Sequence, residues 1–212
     1  ALPPAMAQHD TLDKYLSGVT PPKSKVPNTA SPWASRPKYI ISQLKAWYGE
    51  YANKDNQFGY HYLPKRSGNY SWVPLFEAMN SGKIKGLICW GMNPVVSGPD
   101  SGMIRRALGK LDWIVLIDLW ETETAAFWKR PGATSADIQT EVFLLPAACS
   151  FEKEGSITNS ARWMQWRYRG ANPPGEAKDD LWIINRLMLK LKELYAREGG
   201  PNAEAITKLT WD

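Results

Sequence analysis

Two short apolar runs, residues 86–91 and 113–117, carry no polar interruption. Between them Ile104, Ala107, Leu108 and Leu111 recur at i, i+3, i+4 and i+7, the spacing of one helical stripe. The pattern predicts strand, helix, strand, and strands without polar alternation predict a parallel sheet buried on both faces. A third apolar run, Val142 to Leu145, is stopped by Pro146. The fold class is therefore α/β. Other helices surround this unit. Ile40, Ile41, Leu44, Trp47 and Tyr48 form a stripe with Ser35 as its cap, Pro37 in its first turn and Gly49 at its end. Val73, Phe76 and Met79 share a face over residues 71–80, with Pro74 in the first turn. Leu181, Ile184, Leu187, Met188, Leu191 and Leu194 are predicted to face inward from a helix over 176–197, which Gly199-Gly200-Pro201 stops. Met164, Trp166 and Tyr168 alternate with Gln165, Arg167 and Arg169, which predicts a strand-like segment with one packed and one solvated face.

Elsewhere the period is lost. Residues 1–37 are rich in proline, serine and lysine and are read as an extended segment or a disordered arm. Residues 50–69 are aromatic, polar and full of turn formers, which predicts a long surface loop. His61 stands there without a nearby Asp, Ser or Cys pattern, and is read as a partly exposed structural residue. The organisation is then threefold: 1–70 as an extended segment with one helix and a long loop, 71–150 as the α/β core, and 151–212 as an extended segment and a long helix packed on that core. Three strong strands are fewer than an open sheet usually has. Exposed apolar edges or self-association are expected.

Composition removes several functions. With 26 basic and 21 acidic residues the 212-residue chain is only mildly basic, which is no argument for nucleic acid. Cys89 and Cys149 are its two cysteines, and His9 and His61 its two histidines. Neither a disulfide framework nor a zinc or iron-sulfur site is expected within it. No apolar run reaches the roughly 18 residues of a membrane span. No signal-peptide pattern opens the chain. It begins at Ala1 and not Met, as a processed product or excised piece would.

The candidate chemistry sits at strand ends, because parallel α/β sheets bind ligands beyond their strand carboxyl ends. Those ends are Gly91-Met92-Asn93-Pro94 and Asp118 with Thr122 and Thr124 after it. Neither a GxGxxG turn nor a Walker loop is present. Asp100 or Ser101 can cap the following helix, whose amino-terminal amides could face an anion. Asp118 can accept from ribose hydroxyls, and the threonines can donate to phosphate or base; the alternative is that all three merely cap the TETAAFW segment. Together with Asn93 they point to a nucleotide-like ligand. No Ser/His/Asp set, Cys/His pair or metal-ligand cluster emerges, so no catalytic or metal-ligating residue is assigned. The carboxylates of TETAAF and FEKEG are open to acid-base work or to capping. The run RWMQWRYR interleaves aromatic and basic residues, as surfaces that stack on single strands do. This supports the alternative of a non-enzymatic module for a protein partner or single-stranded nucleic acid.

The stretches GLICWGMNPVVSGPD, IVLIDLWETETAAFW and DIQTEVFLLPAACSFEKEGSITNSARWMQWRYRGANPPGEAKDD resemble the molybdopterin oxidoreductase family, also called the dimethyl sulfoxide reductase family. The order of strand, G-x-N-P, strand, D-x-x-x-T-x-T, and LP followed by E-x-G-x-x-x-N carries the resemblance. WMQWRY, with PKYIISQLKAWYG and FGYHYLP, resembles the large subunit of the respiratory formate dehydrogenase branch. Nearly the whole chain is covered, and it covers only part of the family protein. The resemblance implies a partial Rossmann-like domain that holds the guanosine and phosphate end of one molybdopterin guanine dinucleotide. It carries a cofactor role onto Gly91, Met92, Asn93, Asp118, Thr122 and Thr124, with Asn159 and Arg162 near the pterin. It also implies molybdenum or tungsten, formate as substrate of the parent enzyme, and a [4Fe-4S] cluster outside this segment. The implied partners are the rest of the large subunit and an iron-sulfur electron-transfer subunit, in a periplasmic setting, without nucleic acid. The catalytic residues of that branch have no counterpart here, so the segment alone is expected to be inactive.

Overall fold

The structure, a computed structural model, describes residues 8–18, 35–65, 68–129, 132, 134–161 and 163–211. The chain divides into two compact units, Ala1–Gly68 with Asn185–Asp212, and Asn69–Ile184.

In the first unit α1 (Leu12–Gly18) and α2 (Arg36–Tyr48) share a core of Leu12, Tyr15, Ile40, Leu44 and Tyr60. α2 follows its predicted stripe, with Ile40, Leu44 and Tyr48 buried. Ser35 occupies the cap position without a side-chain capping bond. α1 corrects the extended reading of residues 1–37: a seven-residue helix is too short to show a period, yet Leu12 and Tyr15 are one turn apart and both buried. The part of that reading on residues 19–34 lies outside the described residues. The long loop is also corrected. It contains 3-10 turns at Gly49–Tyr51 and Gln57–Tyr62, and Tyr60 is fully buried. Asn56 organises it, its Oδ1 accepting from the amides of Asn53 and Gly59. Gly59 (φ 84°) is required there, since a Cβ would lie 2.6 Å from the Tyr48 ring. His61 is exposed, with Nδ1 3.0 Å from the Asn56 carbonyl oxygen and its ring against Tyr62.

The second unit contains α3 (Trp72–Asn80), β1 (Gly86–Trp90), α4 (Pro94–Ser97), α5 (Ser101–Leu108), β2 (Trp113–Asp118) and β3 (Glu141–Pro146). Its sheet has the order β1-β2-β3, parallel throughout, with Cys89 level with Leu116 and Leu116 level with Leu144. An α/β architecture is therefore present. The predicted stripe of Ile104, Ala107, Leu108 and Leu111 is buried, packed with Phe76, Met79, Ile114 and Leu116 in one core. Thr140 closes the base of this core, its hydroxyl within 2.9 Å of the Leu108 oxygen and 2.8 Å of the Leu111 oxygen.

Several predicted burials fail. One face of the sheet is only partly covered: Ile88 (46 % exposed), Trp113 (39 %), Phe143 (44 %) and Leu145 (38 %) lie on it, while Ile117 on the same face is buried. Val73 is exposed while Phe76 and Met79 are buried. The physical reason is the same at both places. An apolar run specifies that a side chain avoids water, and the neighbour that would exclude water must be present to bury it.

Beyond the sheet, β4 (Gly155–Thr158) and β5 (Met164–Arg167) form an antiparallel hairpin. The strand prediction over 164–169 holds for Met164–Arg167, but the packed face does not: Met164, Trp166 and Tyr168 are all exposed. α6 (Asp180–Glu198) follows, with Ile183 its one buried residue among those described. The inward stripe is thus corrected, since Leu181, Ile184 and Leu187 are exposed. α7 (Ala203–Thr207) belongs to the first unit. No described helix is long and apolar enough to cross a membrane.

Candidate functional site

The carboxyl ends of β1 and β2 bring their two loops together. Trp90 is level with Ile117, and the Gly91 amide donates to the Ile117 oxygen at 2.8 Å. This places Gly91 beside Asp118 at the rim of the sheet. Gly91 has φ 58°, and a Cβ built on it would meet nothing within 4 Å. The glycine thus serves the left-handed backbone turn and leaves open space above it.

Asn93 joins the loops. Its Oδ1 accepts from the Thr124 amide (3.2 Å) and the Thr124 hydroxyl (2.8 Å), and its Nδ2 donates to Glu123 Oε2 (2.6 Å). The Thr124 oxygen in turn accepts from the Val95 amide at 3.1 Å. Thr124 and Val95 are both buried, so this cluster works as an internal clasp. Thr124 is a strut within it, turned away from solvent. Its neighbour Thr122 differs: the hydroxyl is buried and has no hydrogen-bond partner among the described residues. Asp118 accepts from the Leu119 amide through Oδ1 at 2.8 Å, which leaves Oδ2 available. Met92 is exposed, and its carbonyl oxygen accepts from Cys89 Sγ at 3.4 Å. Burial, with the nearby Asp118 carboxylate, pushes the Cys89 thiol up to about 11, so this cysteine stays protonated.

Glu123, the carboxylate of TETAAF, completes the clasp by accepting from Asn93. The Asn93 hydrogen bond holds its carboxyl below the usual carboxylate range. A carboxyl depressed on folding stabilises the fold above its unfolded value, and that contribution is lost as pH falls through the folded value. Urea midpoints measured from pH 7 downward should therefore drop below about pH 4.3, and Glu123→Gln should flatten that part of the drop. An identical acid slope in the variant would refute the role.

A second polar cluster lies behind Gly91. Trp90 Nε1 donates to Asp180 Oδ1 at 2.6 Å, and Lys153 pairs with the other carboxylate oxygen. Burial opposes the charge on Asp180, but the bonds from Lys153 and Trp90 prevail and keep its pKa low. These three residues are distant in sequence, and nothing in their local pattern signals that they meet. Glu152 and Asp100, by contrast, act as the expected caps, accepting from the amides of Cys149 and Met103. Asn159 accepts from the amides of Ala161 and Trp163 in the turn between β4 and β5; Arg162 lies outside the described residues. Two cavities adjoin the region. One, about 340 Å³, is lined by Glu121, Ala125, Trp128, Thr140 and Val142 among others. The other, about 370 Å³, is lined by Lys153, Ser156, Arg167 and Asp180 among others. Neither is lined by Gly91, Met92, Asn93, Asp118, Thr122 or Thr124.

A parallel sheet with two clasped loops at its carboxyl ends defines this unit as α/β. Residues 36–190 match the molybdopterin oxidoreductase family, and the chain belongs to that family. It is 41 % identical over 205 residues to the major subunit of the nitrate-inducible formate dehydrogenase of Escherichia coli, a match spanning 95 % of this chain and 20 % of that protein. It is 43 % identical over 210 residues to the formate dehydrogenase alpha subunit of Megalodesulfovibrio gigas, spanning 98 % of this chain and 20 % of that protein. The catalytic subunit of the assimilatory nitrate reductase of Bacillus subtilis is 37 % identical over 122 residues, which span 58 % of this chain and 15 % of that protein. The chain thus spans about a fifth of the length of the formate dehydrogenase subunits it matches.

Proposed function

We propose that this chain is part of the catalytic subunit of a formate dehydrogenase, and that its strand-end crevice holds the guanosine and phosphate end of a molybdopterin guanine dinucleotide. The choice of branch rests on extent. Formate dehydrogenase subunits match over 95 % and 98 % of the chain, whereas the nitrate reductase of Bacillus subtilis matches over 58 %. The observation that carries the cofactor role is the Thr122 hydroxyl, buried without a partner among the described residues in the loop that follows Asp118 at the carboxyl end of β2. A buried unpaired polar group costs about 1–3 kcal/mol, so an incoming hydrogen-bonding ligand would recover that cost.

The residues fit such a group in distinct ways. Thr122 would hydrogen-bond to it, Asp118 Oδ2 would accept from a ribose hydroxyl or base N–H, and Gly91 and Met92 would line its approach. Asn93 and Thr124 would position the two loops without spending their shared bonds on the ligand. When bound, the cofactor's molybdenum or tungsten supplies the two-electron chemistry by which formate becomes carbon dioxide. The residues that contact formate, and the iron-sulfur cluster that accepts the electrons, would come from the rest of the subunit. An iron-sulfur electron-transfer subunit would follow as partner.

The test uses the full-length subunit carrying Thr122→Val and Asp118→Ala, with pterin dinucleotide content read as released guanosine monophosphate per protein. Content should fall severalfold, with formate oxidation falling in step. Unchanged content would sink the assignment of those two residues.

A further inference from the structure

We propose that Asp180, in the first turn of α6, is a positioning residue for the strand-end site, fixing the turn at Gly91 through the indole of Trp90. This deepens the cofactor reading above and rests on it. Trp90 is the last residue of β1 and immediately precedes Gly91. Gly91 takes a left-handed conformation (φ 58°), and its amide donates to the Ile117 oxygen on β2. The peptide plane between the two residues is rigid, so an indole held at its tip restrains the backbone that enters the turn.

That tip is held. Trp90 Nε1 donates to Asp180 Oδ1 at 2.6 Å, and Lys153 pairs with Oδ2. A carboxylate has the two oxygens needed to accept both donors at once. Burial disfavours the charge on Asp180, yet the bonds from Lys153 and Trp90 keep its carboxyl below the usual carboxylate range. Asp180 is itself anchored. Two residues earlier the Lys178 amide donates to the Pro146 oxygen at 3.2 Å, and the Lys178 oxygen accepts from the Ala148 amide at 2.8 Å. Residues 178–180 therefore tie the carboxyl ends of the two outer strands, β3 and β1, with β2 between them. Lys153 brings in a third segment, since it stands two residues before the start of β4 at Gly155.

Magnitude separates positioning from plain stabilisation. The Lys153 and Asp180 side chains are 33 % and 39 % exposed, and ion pairs open to solvent contribute little to stability. The effect of this pair lies in where it holds the indole.

The experiment follows hydrogen–deuterium exchange in the full-length subunit carrying Asp180→Leu, Trp90→Phe or Asp180→Asn, with the cofactor bound and after its removal. Peptides covering residues 88–95 report the rim, and peptides covering 101–111 report α5 in the core. In Asp180→Leu and Trp90→Phe the rim should exchange roughly tenfold faster in both states, the effect of one net hydrogen bond, while α5 keeps its protection. Pterin dinucleotide content, read as released guanosine monophosphate, should fall severalfold in both. Asp180→Asn keeps an oxygen for the indole and should stay near the unsubstituted protein in both readouts. Rim exchange that does not change, or that rises in step with α5 as a merely stabilising contact would make it do, would overturn the positioning role. Thr122→Val separates this role from the reading beneath it. If Thr122→Val lowers cofactor content while Asp180→Leu and Trp90→Phe do not, the positioning role fails and the site stands. If the rim loosens but content is unchanged in all three, the cofactor reading itself fails and takes the positioning role with it.

Discussion

Asn93→Ala is expected to lower the stability of the Asn69–Ile184 unit by about 2–4 kcal/mol, because it strands more than one buried group. The Thr124 amide loses its acceptor, and the Thr124 hydroxyl loses the partner to which it donates. Thr124 is fully buried, so water cannot readily replace Asn93. The Glu123 carboxylate loses its donor as well, but it is exposed and water replaces that bond. Asn93→Asp separates these contributions. It keeps an oxygen for Thr124 but sets a second carboxylate against Glu123 Oε2, so its defect should grow at neutral pH and shrink on acidification. Thr124→Val should approach the loss seen in Asn93→Ala, since the buried Val95 amide then goes unpaired. Urea midpoints of the three variants provide the comparison. An Asn93→Ala loss below the ordinary effect of a surface substitution, about 0.5 kcal/mol, would show that the clasp does not hold the loops.

Ile104→Ala should cost about 2–5 kcal/mol, the range for removing a buried aliphatic side chain that neighbours cannot refill. Ile104 is fully buried in α5, in the core between the helices and the sheet. It also lies over Gly98: a Cβ there would be 2.4 Å from Ile104 Cδ1, 2.7 Å from Trp72 Nε1 and 2.8 Å from the Pro94 carbonyl oxygen. Gly98→Ala should therefore destabilise through overpacking, by about 1–3 kcal/mol. Combining it with Ile104→Val removes the methyl it strikes but leaves the Pro94 oxygen in place. The double variant should cost less than the sum of the singles, since residues in contact do not add. Strict additivity would mean that the Trp72 ring and the Pro94 carbonyl, and not Ile104, resist the new methyl.

The α5 stripe and the β1 and β2 runs were legible because each is a local pattern with a periodic or uninterrupted apolar signature. Asp100 as cap was legible for a similar reason, since its work is done within a few residues of itself. The clasp was only half legible. Asn93, Thr122 and Thr124 stand out as polar residues at strand ends, but sequence cannot say that Thr124 is consumed by Asn93 while Thr122 is left unpartnered. That difference depends on how two loops about 30 residues apart meet. Trp90, Lys153 and Asp180 were not legible at all, because their contact spans as many as 90 positions.

By itself, the sequence determined that this chain builds strands and helices of an α/β fold, and that its motifs resemble those of the molybdopterin oxidoreductases, the family to which it belongs. These follow from local periodicity and from motifs read in order along the chain. Only the tertiary structure decided which apolar residues are buried, which threonine is a strut and which keeps an unpaired hydroxyl, and that one face of the sheet is left partly exposed. Burial and hydrogen-bond satisfaction are properties of neighbours brought together by folding, and no residue specifies them alone.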